Sequence, residues 1–171
     1  MSVEIERKFL VRDDAWRAAV SRSTRMVQGY LVDVAALAQG LARASVRVRI
    51  AADAAWINVK QAQAGIERLE FEYPVPVADA DSMLRELCKA RVEKIRHLVP
   101  VAGHTFEVDE FLGDNAGLVV AELELPATGA SFPRPSWLGR DVSHIERYYN
   151  VNLIAHAYRQ WSAAERAGEG G

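Results

Sequence analysis

Val3-Glu4-Ile5-Glu6-Arg7-Lys8-Phe9-Leu10 alternates: Glu4, Glu6 and Lys8 take the even positions and Val3, Ile5 and Phe9 the odd ones, with Arg7 the exception. A period of two is the signature of a strand that shows one face to a core and the other to something polar. The same device recurs along the chain as like charges at i and i+2: Glu4/Glu6, Arg47/Arg49, Glu70/Glu72, Lys94/Arg96, Glu107/Asp109 and Glu122/Glu124, with Lys8 and Lys60 at matching single positions. Alternate side chains share a face, so each pair projects the same way, its Cα atoms roughly 6.5 Å apart. Eight acids and six bases thus share one side of the strands.

A solvated sheet face normally mixes Thr, Ser, Gln and both signs of charge, because like charges side by side repel. Here the signs are sorted by strand. Turned inward in a closed barrel, such a face makes a lumen with acidic and basic walls, which must hold water, ion pairs or a charged ligand. Clustered carboxylates suit a hard divalent cation, and paired Arg and Lys suit phosphate or carboxylate oxygens. A metal-bound polyphosphate satisfies both.

The remaining chain frames these strands. Asp13-Asp14 heads a short helix to about residue 22, and further strands are expected over 25–33, 45–50, 56–60, 67–75, 92–99, 104–111 and 118–125. The Ala-rich stretch 34–44 reads as a loop. Asp79 or Asp81 caps a helix to about residue 90 with Leu84, Leu87 and Cys88 on its apolar face. A closing helix from Asn150 or Asn152 carries Ile154, Tyr158 and Trp161 at i, i+4 and i+7. About eight strands with few helices give an α+β, mainly antiparallel fold: one domain over 1–167, an eight-stranded closed β-barrel with flanking helices, and a flexible tail at 168–171.

Composition excludes several classes. Of 171 residues, 21 are Lys or Arg and 23 Asp or Glu, a formal charge of −2. That balance argues against a nucleic-acid polymer or a membrane surface as partner. Cys88 is alone, so neither an internal disulfide nor a cysteine-based zinc site is possible. The first residues are charged where a signal peptide needs an apolar run, and a cytoplasmic protein is expected. No Gly-x-x-x-x-Gly-Lys-Ser/Thr loop appears, and His97, His104, His144 and His156 lack the i, i+4 pairing of a zinc helix. His97 reads as a packed or surface histidine on the face opposite Arg96.

Glu4-Ile5-Glu6-Arg7-Lys8 resembles the Glu-x-Glu-x-Lys signature of the CYTH superfamily, the triphosphate tunnel metalloenzymes. It is followed in order by Gln28-Gly29-Tyr30-Leu31, Val46-Arg47-Val48-Arg49-Ile50, Ile57-x-Val59-Lys60, Arg68-x-Glu70-x-Glu72-Tyr73, Glu93-Lys94-x-Arg96, Glu107-Val108-Asp109 and Ala121-Glu122-Leu123-Glu124. The resemblance spans about residues 2–155 and is strongest to the short bacterial members. It implies an eight-stranded tunnel acting on triphosphates with Mg²⁺ or Mn²⁺. Glu4, Glu6, Glu122 and Glu124 would hold the cation, with Asp109 a further ligand. Lys8, Arg47, Arg49, Lys60, Lys94 and Arg96 would grip phosphate, and Glu70 and Glu72 would orient these bases or serve a second metal. Three departures bear on substrate access: Gln61 follows Lys60 where glycine is common, residues 34–44 lengthen a mouth loop, and His144-Ile145-Glu146 stands where the family often has an acidic turn with shorter side chains.

The activity this implies is hydrolysis of inorganic tripolyphosphate to diphosphate and phosphate. Arg47, Arg49, Lys60 and Arg96 would stabilise transition-state charge, Lys8 would neutralise or protonate the leaving group, and Lys94 or a neighbouring glutamate would assist removal of the water's proton, with Tyr30 gating the tunnel. The competing readings are a class IV adenylate cyclase, a thiamine or nucleoside triphosphatase, and a polyphosphate- or nucleotide-binding module without turnover. The family also admits homodimers.

Overall fold

In the computed structural model, which describes residues 2–62 and 66–169, the alternating segments become nine strands paired antiparallel throughout. They are β1 (Ser2–Val11), β2 (Arg22–Tyr30), β3 (Ala44–Ala51), β4 (Ala54–Gln61), β5 (Glu67–Val75), β6 (Arg91–Val101), β7 (His104–Phe111), β8 (Val119–Glu124) and β9 (Leu138–Asp141). Their order is β5-β4-β3-β2-β6-β7-β8-β1-β9.

Beyond that order, β1 meets β5 over four residue pairs, from Ser2↔Glu70 to Ile5↔Glu67. Further along β1, β9 pairs through Phe9↔Asp141 and Val11↔Leu138. The sheet curls until β5 meets the start of β1, without closing along its full length. The expectation of eight strands in a closed barrel is corrected on both counts. The ninth strand, at four residues, is too short for a period of two to declare itself.

Two features seat β9. An added Cβ at Gly139 would lie 2.7 Å from the Leu10 carbonyl oxygen, so only glycine lets the backbones approach this closely. Arg7, the break in the alternation, pairs with Asp141, whose carboxylate also accepts from Ser143 Oγ at 2.6 Å and Ser143 N at 2.9 Å. The arginine is the clasp between β1 and β9.

Register partners share a face, so the strand-sorted charges of neighbouring strands point inward and most apolar positions outward. Outside, Phe9, Val99, Phe106, Val108, Ala121 and Leu123 pack under Trp16, Trp137 and Leu138. A second outer cluster joins Val48 and Ala55 to Ala80 and Leu84 of helix α2 (Val77–Glu86). At one end the inner face turns apolar: Val92, Phe111 and Val120 pack with Tyr148, Leu153 and Trp161 of the C-terminal segment. Fully burying such a side chain contributes about 1.5–3 kcal/mol.

The helices depart from expectation. Residues 34–44 are not loop throughout; helix α1 (Val34–Ala38) is capped by Asp33, whose side chain accepts from Ala35 N at 2.8 Å. The helix expected from Asp79 or Asp81 begins earlier, behind Pro76, and ends before Leu87, which is exposed. Residues 13–22 yield only a 3₁₀ turn at Ala15–Ala19. The closing helix is broken into α3 (Asn152–Ala155), a 3₁₀ turn (Tyr158–Gln160) and α4 (Ala163–Arg166). Asn115 Oδ1 takes the Tyr158 N–H at 2.8 Å, and Ser162 and Glu165 form a capping box that restarts the helix. Gly168 and Glu169 bond back to Glu165 and Ala164. No helix among the described residues is long and apolar enough to cross a membrane.

Candidate active site

Inside the curled sheet is a cavity of about 220 Å³. Thirteen of the fourteen strand-sorted charges line it, together with Tyr30, Ser45 and residues 149–151. The fourteenth, Asp109, is fully buried behind the wall and accepts from Arg96 Nε and Nη2 at 2.7 Å each and from Lys94 Nζ. Glu107, read in the sequence only as part of a pair, lines the cavity and bonds Arg96.

Each base is matched to an acid. Lys60 Nζ lies 2.7 Å from Glu4 and 3.4 Å from Glu70, Arg49 Nη2 is 2.9 Å from Glu72, and Arg47 is 4.0 Å from Glu70. Lys8 bonds Glu122 and stands 3.6 Å from Glu6. Arg96 also reaches Glu122. Glu124 lies exposed among the lining residues, and Tyr30 accepts an N–H from Gln28 at 3.3 Å.

Burial at close quarters separates the titrations. Burial would raise the Glu122 carboxyl, but Lys8, Lys94 and Arg96 outweigh it and hold the group well below the usual carboxylate range. Glu6 goes the other way: burial, then the charges of Glu122 and Glu4, push it up against the pull of Lys8. Lys94 is pulled below the usual ammonium value by burial and Arg96, although Asp109 and Glu122 oppose the shift. Lys8, equally buried, is held above that value by Glu122 and Glu6. Two lysines on one wall are tuned in opposite directions.

Neutral side chains complete the wall and were missed in the sequence. Asn58 is fully buried; its Nδ2 donates to Glu70 at 3.0 Å and to Glu72, and its Oδ1 accepts from Arg47 Nε at 3.4 Å. Gln28 is equally hidden beside Arg49. Their parity with Lys60 and Tyr30 was the available signal. His97 faces outward, as expected, with Ser23 Oγ at 2.7 Å and Trp16 beside its ring.

Among the described residues no three acidic, cysteine or histidine groups are gathered as a ready metal site. The donor chemistry nevertheless fits a hard divalent cation: Glu4, Glu6, Glu122 and Glu124 offer only oxygens, and Glu6, pushed up first by burial and then by the charges of Glu122 and Glu4, is a carboxylate whose charged form a cation would stabilise.

Residues 2–158 match the family model described as the CYTH domain. The chain is 42% identical over 162 residues to a protein of Acetivibrio thermocellus (strain ATCC 27405) named inorganic triphosphatase, covering 94% of this chain and 99% of that one. It superposes on the crystal structure of the inorganic triphosphatase NE1496 with a TM-score of 0.64 and 28% identity, over 90% of this chain and 95% of the other. The PH1819 protein of Pyrococcus horikoshii OT3, at 20% identity and a TM-score of 0.54, shares the fold over 72% of this chain and 78% of its own.

Proposed function

Because the chain belongs to the CYTH domain family, we propose that it is a divalent-metal-dependent hydrolase that cuts inorganic tripolyphosphate to diphosphate and phosphate. The observation that carries this reading is the charge-sorted cavity, in a chain 42% identical to a named inorganic triphosphatase. The curled sheet then serves as the tunnel. A cavity of about 220 Å³ lined by thirteen charged side chains suits three phosphates and their cation; Tyr30, Tyr149 and Val151 are its aromatic and apolar lining among the described residues. A lone cysteine and a phosphoanhydride substrate suit a cytoplasmic setting.

In the free cavity the acids and bases answer one another. On binding, Arg47, Arg49, Lys60 and Arg96 turn to phosphate oxygens, where fixed cations stabilise the charge of the transition state. Glu4, Glu6, Glu122 and Glu124 would hold Mg²⁺ or Mn²⁺, which would supply a Lewis acid for the phosphoryl group and its water. Lys8, firmly protonated, neutralises the departing diphosphate. The proton of the attacking water goes to Lys94, whose pKa burial and Arg96 lower and which must first give up its own proton, or to a neighbouring glutamate. Glu70 and Glu72 orient Lys60 and Arg49, Asp109 anchors Lys94 and Arg96, and Tyr30 stands at the rim.

The test is incubation with Mg²⁺ or Mn²⁺ and, in turn, tripolyphosphate, ATP and thiamine triphosphate, with phosphate, diphosphate and cyclic AMP measured. Diphosphate and phosphate from tripolyphosphate support the reading. Cyclic AMP from ATP would make it a cyclase, and tight binding without turnover a binding module.

A further inference from the structure

Arg47 and Arg49 stand two residues apart on β3, and each faces a buried amide across the sheet. Asn58 is the register partner of Arg47 on β4, and Gln28 that of Arg49 on β2. At the first pair the amide oxygen accepts from Arg47 Nε. At the second the equivalent bond is not made: Arg49 Nε and Gln28 Oε1 are both buried, and neither has a hydrogen-bond partner. One is a donor and the other an acceptor, on directly paired positions whose Cβ atoms lie about 5 Å apart. Two such atoms left unpaired side by side are costly, and each asks for an explanation.

The surroundings supply one. Arg49 lies over the Trp56 ring, 5.3 Å from its centroid, and stretches to Glu72 through Nη2. That reach holds its Nε off Gln28. Gln28 is held in turn by donating Nε2 to the Tyr30 hydroxyl, which leaves Oε1 as its spare group. A guanidinium is a rigid fork, so fixing Nε sets the plane in which both terminal nitrogens point.

We propose that Gln28 is a positioning residue for Arg49 that engages only when the cavity holds its anion: as the terminal nitrogens of Arg49 leave Glu72 for phosphate oxygens, Nε turns onto Gln28 Oε1. Arg47 is fixed beforehand by Asn58, and Arg49 is fixed on binding. The inference rests on the triphosphate reading of the cavity and adds to it a residue that does not itself touch substrate.

Gln28→Met keeps the length of the side chain and removes the acceptor. It should lower kcat/KM for tripolyphosphate about ten-fold or more, the worth of a hydrogen bond to a charged group, chiefly through KM. The rise in melting temperature caused by tripolyphosphate should shrink in parallel, while the ligand-free melting temperature falls only by the loss of the Nε2 bond to Tyr30, about 2–4 °C, because the Arg49 bond is absent there. In an Arg49→Lys background, which has no Nε–H, the same substitution should change rate and ligand-induced shift less than about two-fold. Equal losses in both backgrounds overturn the proposal, as does a Gln28→Met protein whose ligand-free melting temperature falls well beyond the loss of the Tyr30 bond or that fails to fold. Wild-type protein separates the two layers: if it leaves tripolyphosphate intact the substrate reading falls, whereas an active wild type with an unaffected Gln28→Met removes only the amide's role.

Discussion

Asp109→Asn is the sharpest probe of how the basic wall is held. Asp109 has no exposed surface and accepts from Arg96 twice and from Lys94 once. Asparagine keeps the shape, deletes the charge and turns an N–H₂ toward one of the donors. Arg96 retains Glu107 and Glu122, but Lys94, itself 2% exposed, loses its bonded partner. Breaking a buried ion pair from one side costs about 3–5 kcal/mol. For a chain of this size that is roughly 6–20 °C in melting temperature, at about 2–4 °C per kcal/mol.

The loss should also depend on pH. Lys94 already sits below its ordinary value because of burial and Arg96, and Asp109 is one of the two charges opposing that shift. Without it the ammonium pKa falls further. The folded state then binds fewer protons than the unfolded one over a wider range, so stability of the variant rises with pH toward the unfolded value. Urea unfolding near about pH 6 and about pH 9 should show the variant more destabilised at the lower pH. A loss under about 1 kcal/mol, equal at both values, would refute the view that Asp109 carries these two cations.

Three further outcomes follow from the same geometry. Metal binding should weaken as pH falls through the raised Glu6 value, earlier than for an ordinary carboxylate, and should release protons; calorimetry in two buffers of different ionisation enthalpy reads this directly. Gly139→Ala drives a Cβ to 2.7 Å from the Leu10 carbonyl oxygen and should loosen β9 at about 1–3 kcal/mol, seen as faster amide exchange at the β1–β9 seam. Gly29→Ala meets Cys88 Sγ at 2.7 Å and Leu84 at 3.0 Å, so it should cost a similar amount by denaturant unfolding, without changing which residues line the cavity.

What could be read from the chain followed from how local the signal was. Charge alternation places thirteen inward side chains because parity along a strand survives any error in its ends. Strand β9 escaped because four residues hold no period, and its docking depends on Gly139 against a distant backbone and on Arg7, which looked like noise in the pattern. The C-terminal helix was misread for a tertiary reason: Asn115, forty-three residues away, takes the Tyr158 N–H that a continuous helix would need. Trp161 is buried all the same, edge-on to Tyr148 and Tyr158 at about 5 Å. Asn58 and Gln28 went unnoticed because a neutral residue among charges does not stand out, although both sit in phase with the charged face. Asp109 had the parity of a lining residue, and only burial shows it behind Lys94 and Arg96.

The central claim is that one wall holds a cation and the other a triphosphate, and Glu4→Gln with Glu6→Gln tests it most directly. Measured as phosphate released from tripolyphosphate across a Mg²⁺ or Mn²⁺ titration, the double variant should lose metal-dependent turnover while its unfolding curve shows an intact fold. Wild-type rates at wild-type metal concentrations in that folded variant would contradict the account and take these two glutamates out of the site.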